Sequence, residues 1–234
     1  MSEEYRNLLV AAYPELHWPT VTRGTREAIK IADGVRRNTP FLTTLVGGDQ
    51  RGMLRRACLM WRIQSLCKSK ELPFEADEVT NTNGTSHLLR IRSKKIELHI
   101  VRTEEAGAFP VEAPIRQDNR ASNSADLFHE GKLLPLHEVM ESVPRLYGWL
   151  MWGATGRGEL THLALGMPEP EENKWLTYID VLAHVTALEA TPGAATTEAT
   201  SSKPNPAMML KFREEFARAV GQDNFEQDAA SNDE

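Results

Sequence analysis

The sequence predicts an α/β or α+β fold in which a mixed or mainly antiparallel sheet packs on one long buried helix, Asp49–Ser69. Three observations carry that expectation. After Asp49, the residues Met53, Leu54, Ala57, Cys58, Met60, Trp61, Ile63, Leu66 and Cys67 cover more of a helical surface than a surface helix needs. Residues 87–92 and 95–102 alternate with a period of two, and only Ser93-Lys94 lies between them, so the two pair antiparallel. Leu146–Trp152 and Glu159–Met167 are apolar runs of strand length on either side of Gly153–Gly158.

In chain order, residues 3–13 form a short helix with Tyr5, Leu8, Leu9 and Ala12 on one side, and Pro14 and Pro19 break it around Trp18. Thr25 caps a second helix over 26–37, whose apolar face is Ala28, Ile31, Ala32 and Val35. A short strand over 41–46 closes at Gly47-Gly48. Asp49 then caps the long helix, its carboxylate accepting the free amides of the first turn and opposing the dipole. Arg51, Arg55 and Arg62 share that helix's remaining face, four and seven residues apart.

A strand over 74–79 follows, then the turn Asn81-Thr82-Asn83-Gly84 and the alternating pair. In the second member of that pair Ile96, Leu98 and Ile100 face one way and Lys95, Glu97 and His99 the other. Residues 103–123 read as irregular, 136–143 as a short helix and 175–185 as either a strand or a helix. Beyond these, 187–206 is an Ala/Thr/Ser/Pro-rich linker, 207–221 an amphipathic helix and 222–234 an acidic tail. The organisation expected is therefore an N-terminal helical segment (1–46), a core (47–186) and a tethered C-terminal helix.

With 41% hydrophobic and 26% charged residues, the chain is of globular composition and not wholly disordered. Its net charge of −6 is unevenly spread. Residues 1–70 carry 12 basic and 6 acidic side chains, whereas residues 121–190 carry 4 and 10. A basic front and an acidic back suit a nucleic acid, an acidic partner, or contact between the halves. Cys58 and Cys67, nine residues apart on one helix, are separated by roughly 13 Å along its axis, too far for a disulfide. Free thiols, no apolar run near ~18 residues and no basic-then-apolar leader predict a cytoplasmic protein without a membrane span.

Motifs for catalysis are sparse. No histidine sits in an HExxH, no Cys/His set has zinc spacing, and no serine occupies a Gly-x-Ser-x-Gly elbow, so no cofactor or metal is expected. A strand follows Gly153–Gly158, which makes that segment a hairpin turn and not a phosphate cradle. The order helix, strand, strand, strand, irregular stretch, helix, strand between Asp49 and Trp152 resembles the core of PD-(D/E)xK nuclease-like folds. In that family an acid on the second core strand and a D/E-x-K on the third hold a divalent metal. Here the third strand offers Glu97-Leu98-His99, the second offers His87 and no acid, and Asp77 and Glu78 lie one strand earlier. The resemblance therefore implies a degenerate or active metal-dependent nuclease centred on Glu97, with His99 and Asp77 beside it. The plainer expectation is that Glu97 pairs on an exposed face with Arg90 or Arg92.

Binding remains the leading expectation. A phosphate backbone would meet Arg36, Arg37, Arg51, Arg55, Arg56, Arg62, Arg90, Arg92, Lys94 and Lys95. A protein partner would meet the row Met209, Phe212, Phe216 and Val220 on the tethered helix, together with Trp18 and Trp175. The second option explains more features together. It predicts a non-enzymatic regulatory protein acting through protein–protein contacts, such as an antitoxin, immunity or inhibitor component of a bacterial or phage system.

Overall fold

Pro14 ends the first helix, α1 (Ser2–Ala12), but Pro19 breaks nothing. It lies in the first turn of α2 (Trp18–Asn38), where its missing N–H has no intrahelical partner to lose. Thr25 therefore sits inside α2 and donates its Oγ1 hydrogen to the Val21 carbonyl at 2.8 Å instead of capping a helix. The computed structural model describes residues 2–80, 84, 87–111, 113–124, 128–129, 132–133 and 145–190. The expected helix at 136–143, the helix at 207–221 and the tail at 222–234 lie outside that set.

The strand expected at 41–46 is a 3-10 turn (Pro40–Thr43) followed by a single helical turn, α3 (Leu45–Asp49). Its hydrogen bonds are local: the Thr44 side chain accepts from the Gly47 amide at 3.0 Å, and the Gly48 amide donates to the Thr44 carbonyl at 2.8 Å. An apolar run this short becomes a strand only beside a sheet edge, and this one lies among the helices. α4 (Arg51–Lys68) starts after Gln50, so Asp49 is the last residue of α3 and caps nothing.

Six strands form the main sheet: β1 (Glu75–Thr80), β2 (His87–Ser93), β3 (Ile96–Arg102), β6 (Leu146–Ala154), β7 (Leu160–Pro168) and β8 (Trp175–Asp180), in that spatial order. A separate pair, β4 (Phe128–His129) and β5 (Lys132–Leu133), stands apart. All neighbours in the main sheet are antiparallel except β3 and β6, which run parallel, Glu97 beside Tyr147 and His99 beside Trp149. The fold is thus α+β with a mixed sheet, as expected. Within the stretch read as irregular, α5 (Pro114–Arg120) and a 3-10 turn (Ala121–Ser124) are regular. The ambiguous segment divides into β8 and α6 (Val181–Ala190), with Asp180 Oδ1 accepting the Ala183 amide at 2.9 Å; α6 also occupies the first positions expected of the linker.

The main core lies between the helices and one face of the sheet. Leu9, Trp18, Ala28, Ile29, Cys58, Leu59, Ile63 and Leu66 meet Leu89, Ile91, Leu98, Ile100, Leu150, Trp152 and Leu163 there. α4 is narrower than its sequence suggests: Leu54, Cys58, Leu59, Ile63 and Leu66 are buried, while Met53 and Ala57 are exposed. The other face carries a smaller cluster of Val101, Tyr147, Trp149, Met151 and Ala164, capped by Phe109, Trp175 and Tyr178. No helix of the described residues is long and apolar enough to cross a membrane.

Candidate functional site

Alternation along β3 turns Glu97 and His99 away from the helices, as expected, but not into solvent, since they are only 5% and 3% exposed. His99 Nε2 lies 3.0 Å from Glu97 Oε1, and His99 Nδ1 lies 3.0 Å from the Tyr147 hydroxyl. A carboxylate only accepts, so Nε2 donates to it, while Nδ1 shares the second hydrogen bond with the Tyr147 hydroxyl. Arg145 donates to the other Glu97 oxygen at 2.7 Å, while Arg90 is more distant at 3.9 Å. Burial works to raise the Glu97 carboxyl, but the His99 hydrogen bond and the Arg145 and Arg90 charges more than offset it and hold the group below the usual carboxylate range. Burial pushes the Tyr147 phenol up.

Asp77 stands on the far side of Arg90 and accepts its Nε at 3.1 Å. A guanidinium therefore separates the two carboxylates that a metal-nuclease site would bring together. Among the described residues no three His, Cys, Asp or Glu side chains converge as metal ligands. His87 is exposed and bonded to Thr80, well away from His99. Glu97, His99, Tyr147 and Arg145 thus fasten β3 to β6 through a satisfied polar network. Both cysteines are free: burial raises the Cys58 thiol, and raises Cys67 to about 11, so neither is an activated nucleophile.

The arginines divide into two groups. Arg55 is 4% exposed, and its Nε and one terminal nitrogen grip Asp33 at 3.0 and 2.8 Å while the other donates to the Thr155 carbonyl at 2.9 Å. Arg62 pairs with Glu27 at 2.7 Å, and Arg92 with Glu75 and Asp77 at 3.2 and 3.3 Å. These side chains hold the protein together. The Gly153–Gly158 hairpin turn docks on the first of these pairs, because Gly158, at φ +89°, leaves no room for a Cβ beside Asp33.

The second group has no carboxylate partner among the described residues. Arg36 and Arg37 end α2, Arg51 and Arg56 open α4, and Arg102 ends β3 beside Gly52, where a Cβ would lie 2.7 Å from its guanidinium. Arg51 and Arg56 donate to the carbonyls of Gly156 and His87, each at 3.2 Å. Burial, and then the Arg116 charge, lower the pKa of Arg56.

Between the arginines of α2 and those of α4 lies the turn 40–49, which exposes Phe41, Leu45 and Val46, and Met53 in the first turn of α4 is exposed as well. Leu45 is 94% exposed, Val46 78%, Met53 69% and Phe41 56%. The turn is nevertheless fixed from inside. Leu42 is buried, and a Cβ on Gly47 would overlap the Phe41 carbonyl and stand 2.5 Å from Leu42 Cα. Buried, side chains of this kind contribute about 1.5–3 kcal/mol each. Here that contribution is forgone on an ordered surface. Clustered exposure of large aliphatic groups marks interaction sites.

Of the two tryptophans expected at a partner surface, Trp18 is 2% exposed, in the core with its indole nitrogen bonded to the Tyr13 carbonyl at 3.0 Å. Trp175 begins β8, packs on Phe109 and Trp149, and donates to the Gly107 carbonyl at 3.0 Å. Met209, Phe212, Phe216 and Val220 lie outside the described residues. Lys94 and Lys95 form the β2–β3 turn, Lys94 at φ +53°. The sequence places Phe41, Leu45 and Val46 in a short apolar strand and Met53 on the apolar face of the long helix, and so does not show the exposed patch. Gly47-Gly48 after Thr44 was the available signal of a capped turn. No family model, no curated protein and no solved structure matches the chain.

Proposed function

We propose that this is a non-enzymatic binding protein that docks an acidic protein partner on Phe41, Leu45, Val46 and Met53 and the surrounding arginines. One observation carries the reading: a turn locked by Thr44, Gly47 and Leu42 holds Leu45 and Val46 almost wholly in solvent. The neighbouring Arg36, Arg37, Arg51, Arg56 and Arg102 have no carboxylate partner among the described residues and set the partner's charge. Aliphatic groups at the centre with guanidinium at the rim suit a protein groove edged by Asp and Glu. A phosphate backbone would leave Leu45 and Val46 unused. The polar network around Glu97 is satisfied, which supports a binding role over a catalytic one. An antitoxin, immunity or inhibitor component of a bacterial or phage system is the biological setting we put forward for such a surface.

The test is purification of the tagged full chain from its native host, comparing wild type with the Leu45→Asp/Val46→Asp double variant. A stoichiometric protein retained by wild type, held about a hundredfold more weakly by the double variant and released by salt is the expected result. Retention of the same partner by the double variant overturns the reading. So does co-purification of nuclease-sensitive nucleic acid alone, or a dimer of this chain that dissociates in the variant.

A further inference from the structure

At the opposite end of β3, about 20 Å from Arg102 by strand rise, the β2–β3 turn opens into a cavity of about 410 Å³. Pro73, Glu75, Arg92, Ser93, Lys94, Lys95, Ile96 and Arg145 line it, four cations against one carboxylate. We propose that this cavity binds a small phosphate-bearing anion. Its volume is that of a small-molecule site, and its lining is polar where most such sites are apolar, which selects a charged ligand.

The cations come from a rigid frame. The left-handed Lys94 makes the tight turn, and the Leu146 amide donates to the Lys95 carbonyl at 2.8 Å, which ties the turn to the start of β6 beside Arg145. Arg92 Nε is buried without a hydrogen-bond partner among the described residues, and a buried donor of this kind is completed by an acceptor oxygen. The existing anions compete weakly. Glu75, 77% exposed on its side chain, and the partly exposed Asp77 both meet the same terminal nitrogen of Arg92, at 3.2 and 3.3 Å, as solvent-screened pairs worth little, and neither reaches its Nε. Arg145 keeps Glu97 on one edge of its guanidinium and is 47% exposed, leaving its remaining donors accessible. Arginine forks with lysine point charges match the several acceptor oxygens of a phosphate better than one carboxylate does.

The proposal is independent of the apolar patch and is tested on the full chain by calorimetry with inorganic pyrophosphate and ATP. Two further ligands are a single-stranded oligonucleotide carrying a 5′-phosphate and its unphosphorylated twin. Pyrophosphate is expected to bind, to weaken as salt rises, and to bind about tenfold more weakly to Lys94→Ala and to Arg92→Gln. Unchanged circular dichroism and melting of the free variants separates lost binding from lost folding. Pyrophosphate and ATP binding assigns the anion to a free metabolite, and binding of the phosphorylated oligonucleotide over its twin assigns it to a nucleic-acid end; either supports the site. Absence of binding at millimolar pyrophosphate overturns it, as does equal binding by wild type, Lys94→Ala and Arg92→Gln.

Discussion

Replacing Arg55 separates structural arginines from surface ones, because the two roles have opposite consequences. Arg55→Ala removes three hydrogen bonds, two of them a charge-assisted fork to Asp33. It leaves the Asp33 carboxylate, only 16% exposed, without its guanidinium, and the Thr155 carbonyl loses a donor. Removing one member of a fully buried pair costs about 3–5 kcal/mol. Residual water access to Asp33 puts the expected loss near the lower end, about 3 kcal/mol. In a protein of this size that corresponds to a fall in Tm of roughly 6–12 °C. Urea unfolding of wild type, Asp33→Ala, Arg55→Ala and the double variant measures it. The double variant should be less destabilised than the sum of the singles by about 2 kcal/mol, the coupling of a contacting pair. The solvent-exposed Arg37→Ala is the control and should lie within about 0.5 kcal/mol of wild type. A loss under about 1 kcal/mol for Arg55→Ala, or additive singles, refutes the reasoning. Full stability with lost nucleic-acid binding would return Arg55 to a phosphate-contacting role.

Two further outcomes follow from the same geometry. His162 is 3% exposed, its Nε2 2.6 Å from Thr103 Oγ1, and burial lowers its pKa below the ordinary 6.5 despite the opposing pull of Asp180. The unfolded chain then binds the extra proton first. The stabilisation is therefore fully present above pH 6.5 and is lost as pH falls from there through the folded pKa, so the urea midpoint should drop between pH 7.5 and 5.5. His162→Gln should reduce that drop, and an undiminished drop in the variant would assign it to other groups. Gly47→Ala places a Cβ against backbone atoms of Phe41 and Leu42, which cannot move aside cheaply, at an expected cost of about 1–3 kcal/mol and with weakened partner capture. Gly48→Ala meets nothing within 4 Å and should leave both properties unchanged, so matching behaviour of the two variants contradicts the locked turn.

The elements that rest on local periodicity are legible without the structure. The β2–β3 pair is legible because period-two alternation and a two-residue gap allow one pairing, and Ile96, Leu98 and Ile100 do face the helices. The β6–β7 hairpin is legible because two apolar runs of strand length flank a glycine-rich turn, and α4 because apolar residues recur every three to four positions. Where local signals are degenerate, long-range packing sets the outcome. Proline serves a first helical turn as readily as it ends a helix, so only packing shows that Pro19 lies within α2. Alternation assigns Glu97 and His99 to the second sheet face but cannot reveal that Tyr147 and Arg145, some fifty residues later, will satisfy them. An arginine reads the same whether it grips Asp33 from within or stands in solvent, because the carboxylate that separates Arg55 from Arg37 comes from another helix. For the same reason the apolar patch was hidden: burial of Leu45, Val46 and Met53 depends on a neighbour, and in this fold none of the described residues covers them.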